Sequence, residues 1–359
     1  MSTPFFQIGK NSIGLDHPTY FIADIASNHG GDLNTARELI ELAAASGANA
    51  AKFQHFTAEG LVSKVGFNAF EDKLAHQKNW DKPAFEVYKQ VEVPQSWTKI
   101  LADTAKNCGI DFFTAPYSLS SIDEVDPYVT AFKIGSGDIT WIESVSKMAS
   151  KGKPVLLATG ASEMSDVDRA VAAIKSHGVP LVVMQCNTNY TGLKENISYS
   201  NLKVIETYKK RFPYAVVGLS DHTAGHLTVL GAVTLGARVI EKHFTSENAP
   251  NNPDKHFSLQ PKAWREMVDA TRQLEAALGN GSKKIEDNEI ESVIAQRRCI
   301  RFKRNIEKGN IITPADLTFL RPSPVNALPP YRVAELLGRV LSADVVEEQV
   351  VDIALFEPN

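Results

Sequence analysis

The chain has 359 residues, ordinary proportions of apolar and charged residues, and a formal net charge of −4 with lysines and acids interspersed. That balance excludes a broad cationic surface for nucleic acid or anionic membrane, so any anion site must be local. Cys108, Cys186 and Cys299 are too few and too far apart for a disulfide framework, and "MSTPFFQIGKNS" lacks a basic segment followed by an apolar run. A cytoplasmic protein that crosses no membrane is expected.

In chain order, short β-branched or aromatic runs appear as "FIADIA" (21–26), "AAKFQH" (50–55), "DFFTAP" (111–116) and "AFKIGS" (131–136). "PVLLATG", "LVVMQC", "AVVGLS" and "RVIEKHF" follow. Stretches with apolar residues at helical spacing separate them, such as "TARELIELAAASG" (35–47), "DVDRAVAAIKSHG" (166–178) and, last, "AWREMVDATRQLEAAL" (263–278). Eight near-continuous apolar runs alternating with helices predict a (β/α)8 TIM barrel over residues 1–279. An open doubly wound sheet is the competing α/β architecture; the lack of a Gly-x-Gly-x-x-Gly after the first run weighs against its dinucleotide-binding version.

Between the first two runs, "SNHGG" reads as turn chemistry, with Asn34 placed to cap the next helix and His29 structural. The segment from Thr57 to Val93 is too long for an ordinary βα loop and reads as a lid. After Leu278, the polar "GNGSKKIEDNE" predicts a linker over 280–290, and residues 291–359 form a separate small module with a Lys-Gly turn and the helix start "TPADL".

A parallel barrel does its chemistry at the C-terminal ends of its strands, where nearly every run here ends in polar residues. His222 and His243 end the seventh and eighth strands, close enough in a closed barrel for two imidazoles to share a divalent ion; the bland alternative is a pair of hydrogen-bonded strand-end histidines. Two imidazoles with oxygen ligands suit manganese better than zinc, which usually takes a third protein ligand. Lys52 and Lys133 point into the barrel, where each needs a partner. That partner is either an anionic substrate, held also by small donors such as Ser136, Thr114, Ser220 and the glycines of "KIGSGD" and "ATGAS", or a structural carboxylate, Asp24 or Glu241.

"FIADIASNHGGDLNTARELI", "AAKFQHF", "FKIGSGD", "TGAS", "GLSDHT" and "GARVIEKHFT" followed by "PDKHFSL" together resemble the sialic acid synthase family, the N-acetylneuraminate, legionaminate and pseudaminate synthases. The tail, with "KRNIEKGNIITPADLTFLRP", resembles the small antifreeze-like SAF domain of those enzymes. The resemblance implies condensation of phosphoenolpyruvate with an open-chain N-acetylated mannosamine-type sugar, releasing phosphate and giving a nonulosonic acid. It implies N-acetylneuraminate first, with legionaminate or pseudaminate as alternatives. A keto-deoxy sugar-phosphate synthase and a non-catalytic sugar-binding barrel are the remoter readings.

By the same resemblance His222 and His243 bind the metal, manganese first, with magnesium or cobalt as alternatives. Lys52, Thr114, Lys133, Ser136 and Ser220 hold phosphoenolpyruvate, while Gln54, Asn79, Tyr190 and Asp254 contact the amino sugar. Glu241, Asp24 and Lys52 lie at the reaction centre. Arg321 matches an arginine that reaches into the partner's active site, which implies a domain-swapped homodimer. This sequence departs from the family at Asp24, where glutamate is common, at Ala158, where a serine is common, and at Thr188, which leaves Asn187 or Asn189 to take the place of the usual asparagine. The second Lys-His-Phe, at 255–257, is expected to serve packing or rim contact.

Overall fold

A computed structural model describes residues 4–69, 77, 80 and 82–358. The chain divides into two compact units, Met1–Gly279 and Asn280–Asn359.

The first unit opens with an antiparallel hairpin, β1 (Phe5–Ile8) and β2 (Asn11–Gly14), whose two-residue turn begins at Gly9 with φ +53°. Any side chain at Gly9 would collide with Asp111, its Cβ falling 2.0 Å from Oδ1. Asp111 accepts hydrogen bonds from Asn11 Nδ2 and the Tyr20 hydroxyl, so the hairpin is tied to the N-terminal end of the barrel, away from the chemistry.

Eight parallel strands close in chain order: β3 (Tyr20–Asp24), β4 (Ala50–His55), β5 (Asp111–Pro116), β6 (Phe132–Ile134), β7 (Val155–Ala158), β8 (Leu181–Cys186), β9 (Val216–Asp221) and β10 (Val239–His243), with β10 pairing back onto β3. The predicted barrel is therefore the observed one. Its strands are buried on both faces, the inner packed by the barrel interior and the outer by helices, which is why they read as continuous apolar runs.

Residues in register on neighbouring parallel strands share a face. Glu241 pairs with Ile22 and Ser220, His243 with Asp24, Asp24 with Lys52, and Lys133 with Leu156, so these residues all face inward. Lys242, Asp221 and Thr114 fall on the opposite parity and face the helices.

The helix after β3, Leu33–Ala45, buries Ala36, Leu39, Ile40 and Ala43 on one stripe. Its cap is Asp32, whose Oδ1 accepts from Thr35 N at 2.7 Å, and not the expected Asn34. Starting the helix at Leu33 places the whole apolar stripe against the barrel, and Asp32 adds the favourable charge at the helix N-terminus. The last helix, Pro261–Leu278, starts at a proline and buries Trp264 edge-on against Phe244. The segment between β4 and the helix Gln95–Asn107 carries short helices at Ala58–Leu61, Lys64–Asn68 and Ala84–Gln90; Asn79 lies outside the described residues.

In the second unit, the stretch expected to be a plain linker ends in a 3-10 turn, Asp287–Glu289, leading into the short helix Ile290–Gln296. Glu286 and Glu289 cap each other there, a polar pairing that leaves no apolar periodicity to read. Beyond it β11 (Cys299–Phe302) pairs antiparallel with β12 (Leu317–Leu320). Isolated bridges add the chain near Val340, Val345 and Val350, around a core that includes Ile300, Phe302, Leu336, Leu341 and Phe356. Arg321 follows β12 and is exposed. Among the described residues no helix is long and apolar enough to cross a membrane.

Candidate active site

At the C-terminal mouth of the barrel, inward parity brings four charged side chains together. Lys52 Nζ lies 2.7 Å from Asp24 Oδ2 and 3.4 Å from Glu241 Oε1, and Lys133 Nζ lies 3.4 Å from the same Glu241 oxygen. Ser220 Oγ donates to Glu241 Oε1 at 3.0 Å. All five residues are buried. Of the two partners weighed for the lysines, the structural carboxylates are thus present, and they sit where an anionic ligand would also have to bind.

Burial opposes charge on Glu241, but the two lysines and the Ser220 hydroxyl overcome it and hold its carboxyl well below the usual range. For Lys52 burial is likewise outweighed, by Asp24 and Glu241, so it is firmly cationic. For Lys133 burial is the largest influence, and with the neighbouring cation Lys52 it outweighs Glu241 and the weaker pull of Cys186 and Asp24, so its pKa falls. Lys133 is therefore the member of the cluster with most to gain from an incoming anion.

His222 and His243 sit side by side, ring centroids 5.3 Å apart. His222 Nδ1 meets the Asn187 carbonyl at 3.0 Å, and Cys186 Sγ lies 3.9 Å from the same nitrogen. His243 Nε2 is 3.5 Å from Asp24 Oδ2. Among the described residues, three buried atoms here have no hydrogen-bond partner: His243 Nδ1, Asp24 Oδ1 and Glu241 Oε2. Buried polar atoms are rarely left so, and their convergence marks a place built to receive polar ligand atoms. Among the described residues no set of three or more His, Cys, Asp or Glu is arranged to hold a metal, so an ion here would rest on two imidazoles plus oxygens from substrate and water.

Ser136 Oγ accepts from Gly160 N at 2.9 Å, joining the ends of β6 and β7. Gly160 has no room for a side chain, since a Cβ would lie 1.8 Å from Thr188 Oγ1. Tyr190 packs edge-on to His222 at 4.6 Å, and Gln54 shares the inward parity of Lys52. Asp254 Oδ2 accepts from Ser27 N at 2.9 Å and Ser27 Oγ at 2.6 Å, clamping the loop after β10 onto the loop after β3. Asn187 touches the site through its carbonyl, whereas the Asn189 side chain is taken up by Thr191 and Asn196 in its own turn.

Thr114 is not part of this constellation. Its hydroxyl donates to Phe53 O at 2.8 Å and meets His55 Nδ1 at 2.8 Å, and His55 Nε2 in turn meets Thr98 on the covering helix. Strand alternation turns Thr114 outward and gives the inward position to Ala115. Arg321 belongs to the second unit.

One contributor escaped the sequence reading. Cys186 ends β8 in register with Ser220, a strand-end position that could have flagged it. Phe257 packs edge-on to His243 at 4.8 Å, and His256 Nε2 meets Tyr190 O at 2.9 Å, so the second Lys-His-Phe does seat the rim loop against the histidine pair. His29 is structural as expected: it is buried, and its Nδ1 accepts from Gly31 N at 3.0 Å. A separate cavity of about 440 Å³, lined by Trp80, Lys82, Pro253, Lys255 and His256 among others, opens beside the Asp254 loop and is lined by none of the charged mouth residues.

Comparison with known proteins agrees with this geometry. The NeuB family profile matches residues 39–283 and the SAF domain profile matches residues 297–357. The chain is 33% identical over 337 residues to N,N'-diacetyllegionaminic acid synthase of Campylobacter jejuni, covering 93% of this chain and 98% of that one. It is also 33% identical over 344 residues to pseudaminic acid synthase of the same species, covering 94% and 96%. Among solved structures, an N-acetylneuraminic acid (sialic acid) synthetase from Leptospira borgpetersenii superposes with a TM-score of 0.70 at 29% identity, covering 81% of this chain and 95% of that one.

Proposed function

Because the chain belongs to the NeuB family and carries a SAF domain, with sialic acid synthase-type enzymes as its relatives, we propose that it condenses phosphoenolpyruvate with an open-chain N-acetylated mannosamine-type sugar, giving a nonulosonic acid and phosphate. The observation that carries this reading is the inward pair Lys52 and Lys133 sharing one Glu241 oxygen beside two neighbouring imidazoles.

The charges argue for a metal as well. Two lysines and two carboxylates cancel, so burying a phosphate and a carboxylate among them leaves negative charge that a divalent ion at His222 and His243 would offset. Such an ion, manganese first, supplies Lewis-acid polarisation of the sugar's aldehyde oxygen. Lys52 and Lys133, with Ser136 and Ser220, hold the carboxylate and phosphate of phosphoenolpyruvate so that its carbon 3 faces that aldehyde. Gln54, Tyr190 and Asp254 lie on the rim and orient the sugar. After the new carbon–carbon bond forms, water adds at carbon 2; Glu241, ionised and with Oε2 unpartnered, is placed to take the water's proton. The bridging carbon–oxygen bond then breaks, and phosphate leaves with that oxygen. Arg321 of a second copy completes the sugar side in a domain-swapped homodimer, working in the cytoplasm.

N-acetylmannosamine, giving N-acetylneuraminate, is the acceptor this reading takes first. The diacetamido sugars leading to legionaminate or pseudaminate come second, supported by relatives at 33% identity over nearly the whole chain. Phosphate release from phosphoenolpyruvate with manganese, measured side by side with N-acetylmannosamine and with diacetamido-trideoxyhexoses, decides between them. Silence with every N-acetylated hexose would remove the synthase reading altogether.

A further inference from the structure

Behind the two imidazoles, on the helix side of the sheet, lies a charged pair that the reaction does not touch. Asp221 and Lys242 are in direct register on β9 and β10, and each immediately precedes one histidine, His222 and His243. Their rung is the last of the β9–β10 ladder, so His222 lies beyond the pairing of β9, while His243 keeps its register with Asp24 on β3. Lys242 Nζ donates to Asp221 Oδ2 at 2.6 Å and also to Thr223 O. Asp221 Oδ1 accepts from Thr223 N at 3.0 Å, and Oδ2 accepts from Thr223 Oγ1 at 3.1 Å and Thr228 Oγ1 at 2.7 Å. Both side chains are almost wholly excluded from solvent, at 3% and 1% exposure.

Resting on the reading that His222 and His243 hold a divalent ion, we infer that Asp221 and Lys242 are positioning residues that set the spacing and direction of the two imidazoles. A buried ion pair is a poor source of stability compared with apolar residues of similar volume, so its energy alone does not explain its place. Its directionality does. The pair ties the ends of the neighbouring strands β9 and β10 to the start of the helix Leu227–Thr234 through Thr228. A loosened rung would let the end of β9, and with it His222, shift against His243, which β3 holds in register, and outer contacts of this kind typically govern metal affinity by about 10- to 100-fold.

The test compares the wild-type chain, the neutral double variant Asp221→Asn with Lys242→Met, and His222→Ala. Manganese affinity is read by electron paramagnetic resonance of the free ion without substrates, and folding by thermal midpoint. The expected result is a folded double variant that binds manganese about 10- to 100-fold more weakly than wild type, with the Michaelis constant for phosphoenolpyruvate at saturating metal changed by less than about threefold. A double variant that loses thermal stability but keeps wild-type manganese affinity overturns the inference, leaving the pair purely structural. If wild type and His222→Ala bind manganese alike, the metal reading itself is what has failed. Should the double variant not fold, Thr228→Val decides: it removes one donor to Asp221 while keeping the ion pair, and manganese affinity weakened by about threefold supports the inference while unchanged affinity overturns it.

Discussion

The ring of Phe257 meets the imidazole of His243 edge to face, with centroids 4.8 Å apart. Ten residues, 245–254, separate the two copies of Lys-His-Phe in sequence, yet the phenylalanine of the second lies against the histidine of the first. Phe257→Ala should therefore cost about 3 kcal/mol of stability through the cavity it leaves, and should weaken manganese activation, while Phe257→Leu restores most of both. Thermal midpoints alongside manganese activation curves check this; unchanged activation in Phe257→Ala would show that the contact does not orient His243.

Glu241 and Lys133 should fail differently. Glu241→Gln keeps the shape and the Ser220 hydrogen bond but removes the carboxylate, so kcat should fall by roughly 10²- to 10⁴-fold. Lys133→Met should act mainly on phosphoenolpyruvate, raising its Michaelis constant about 10- to 100-fold, as expected for the loss of a charge-assisted contact. Steady-state kinetics on both variants separate the roles. Equal effects on kcat alone would assign Lys133 elsewhere.

Thr114→Val tests the outward placement of that residue. Removing its hydroxyl strands His55 Nδ1 and costs about 1–3 kcal/mol of stability, but the Michaelis constant for phosphoenolpyruvate should stay within about twofold of wild type. A large rise in that constant with stability intact would return Thr114 to the substrate site.

The same histidine predicts a pH dependence. Burial, with a smaller effect of His29, holds His55 down at about 4, and burial holds His29 down to about 4 as well, against Asp254 and Asp32. Both folded values lie below the ordinary value of 6.5. Their stabilisation is therefore complete above pH 6.5 and is lost as pH falls toward 4, because the unfolded chain takes up protons first. Each histidine contributes at most roughly 3 kcal/mol across that window. Urea midpoints should fall between pH 7 and pH 5, and the fall should be shallower in His55→Gln. An identical slope in the variant would show that His55 does not titrate this way.

The barrel was legible because strands covered on both faces leave unbroken apolar runs, and because inward strand-end residues such as Lys52 and His243 are chemically out of place in such runs. Facing direction was harder to read where both faces are apolar. In "DFFTAP" nothing in the residue types distinguishes Thr114 from Ala115, and only the register with β4 shows which points inward. Lys242 was hidden for the opposite reason. A charged residue on the helix side looks solvent-facing until Asp221 and two threonines are brought around it by the neighbouring strand and helix. The β1–β2 hairpin has strands of four residues, too short for alternation to stand out, and the choice of Asp32 over Asn34 as cap turns on two equally suitable residues two positions apart.

The account stands on His222 and His243 as the holders of a catalytic divalent ion. Phosphate release from phosphoenolpyruvate, with the acceptor sugar and manganese, measured on wild type before and after chelation and on His222→Ala and His243→Ala, tests it most directly. Turnover should vanish on chelation, return with manganese, and be absent from both variants while their circular dichroism and thermal midpoints remain close to wild type. Near-normal manganese-dependent turnover in either alanine variant would contradict the assignment.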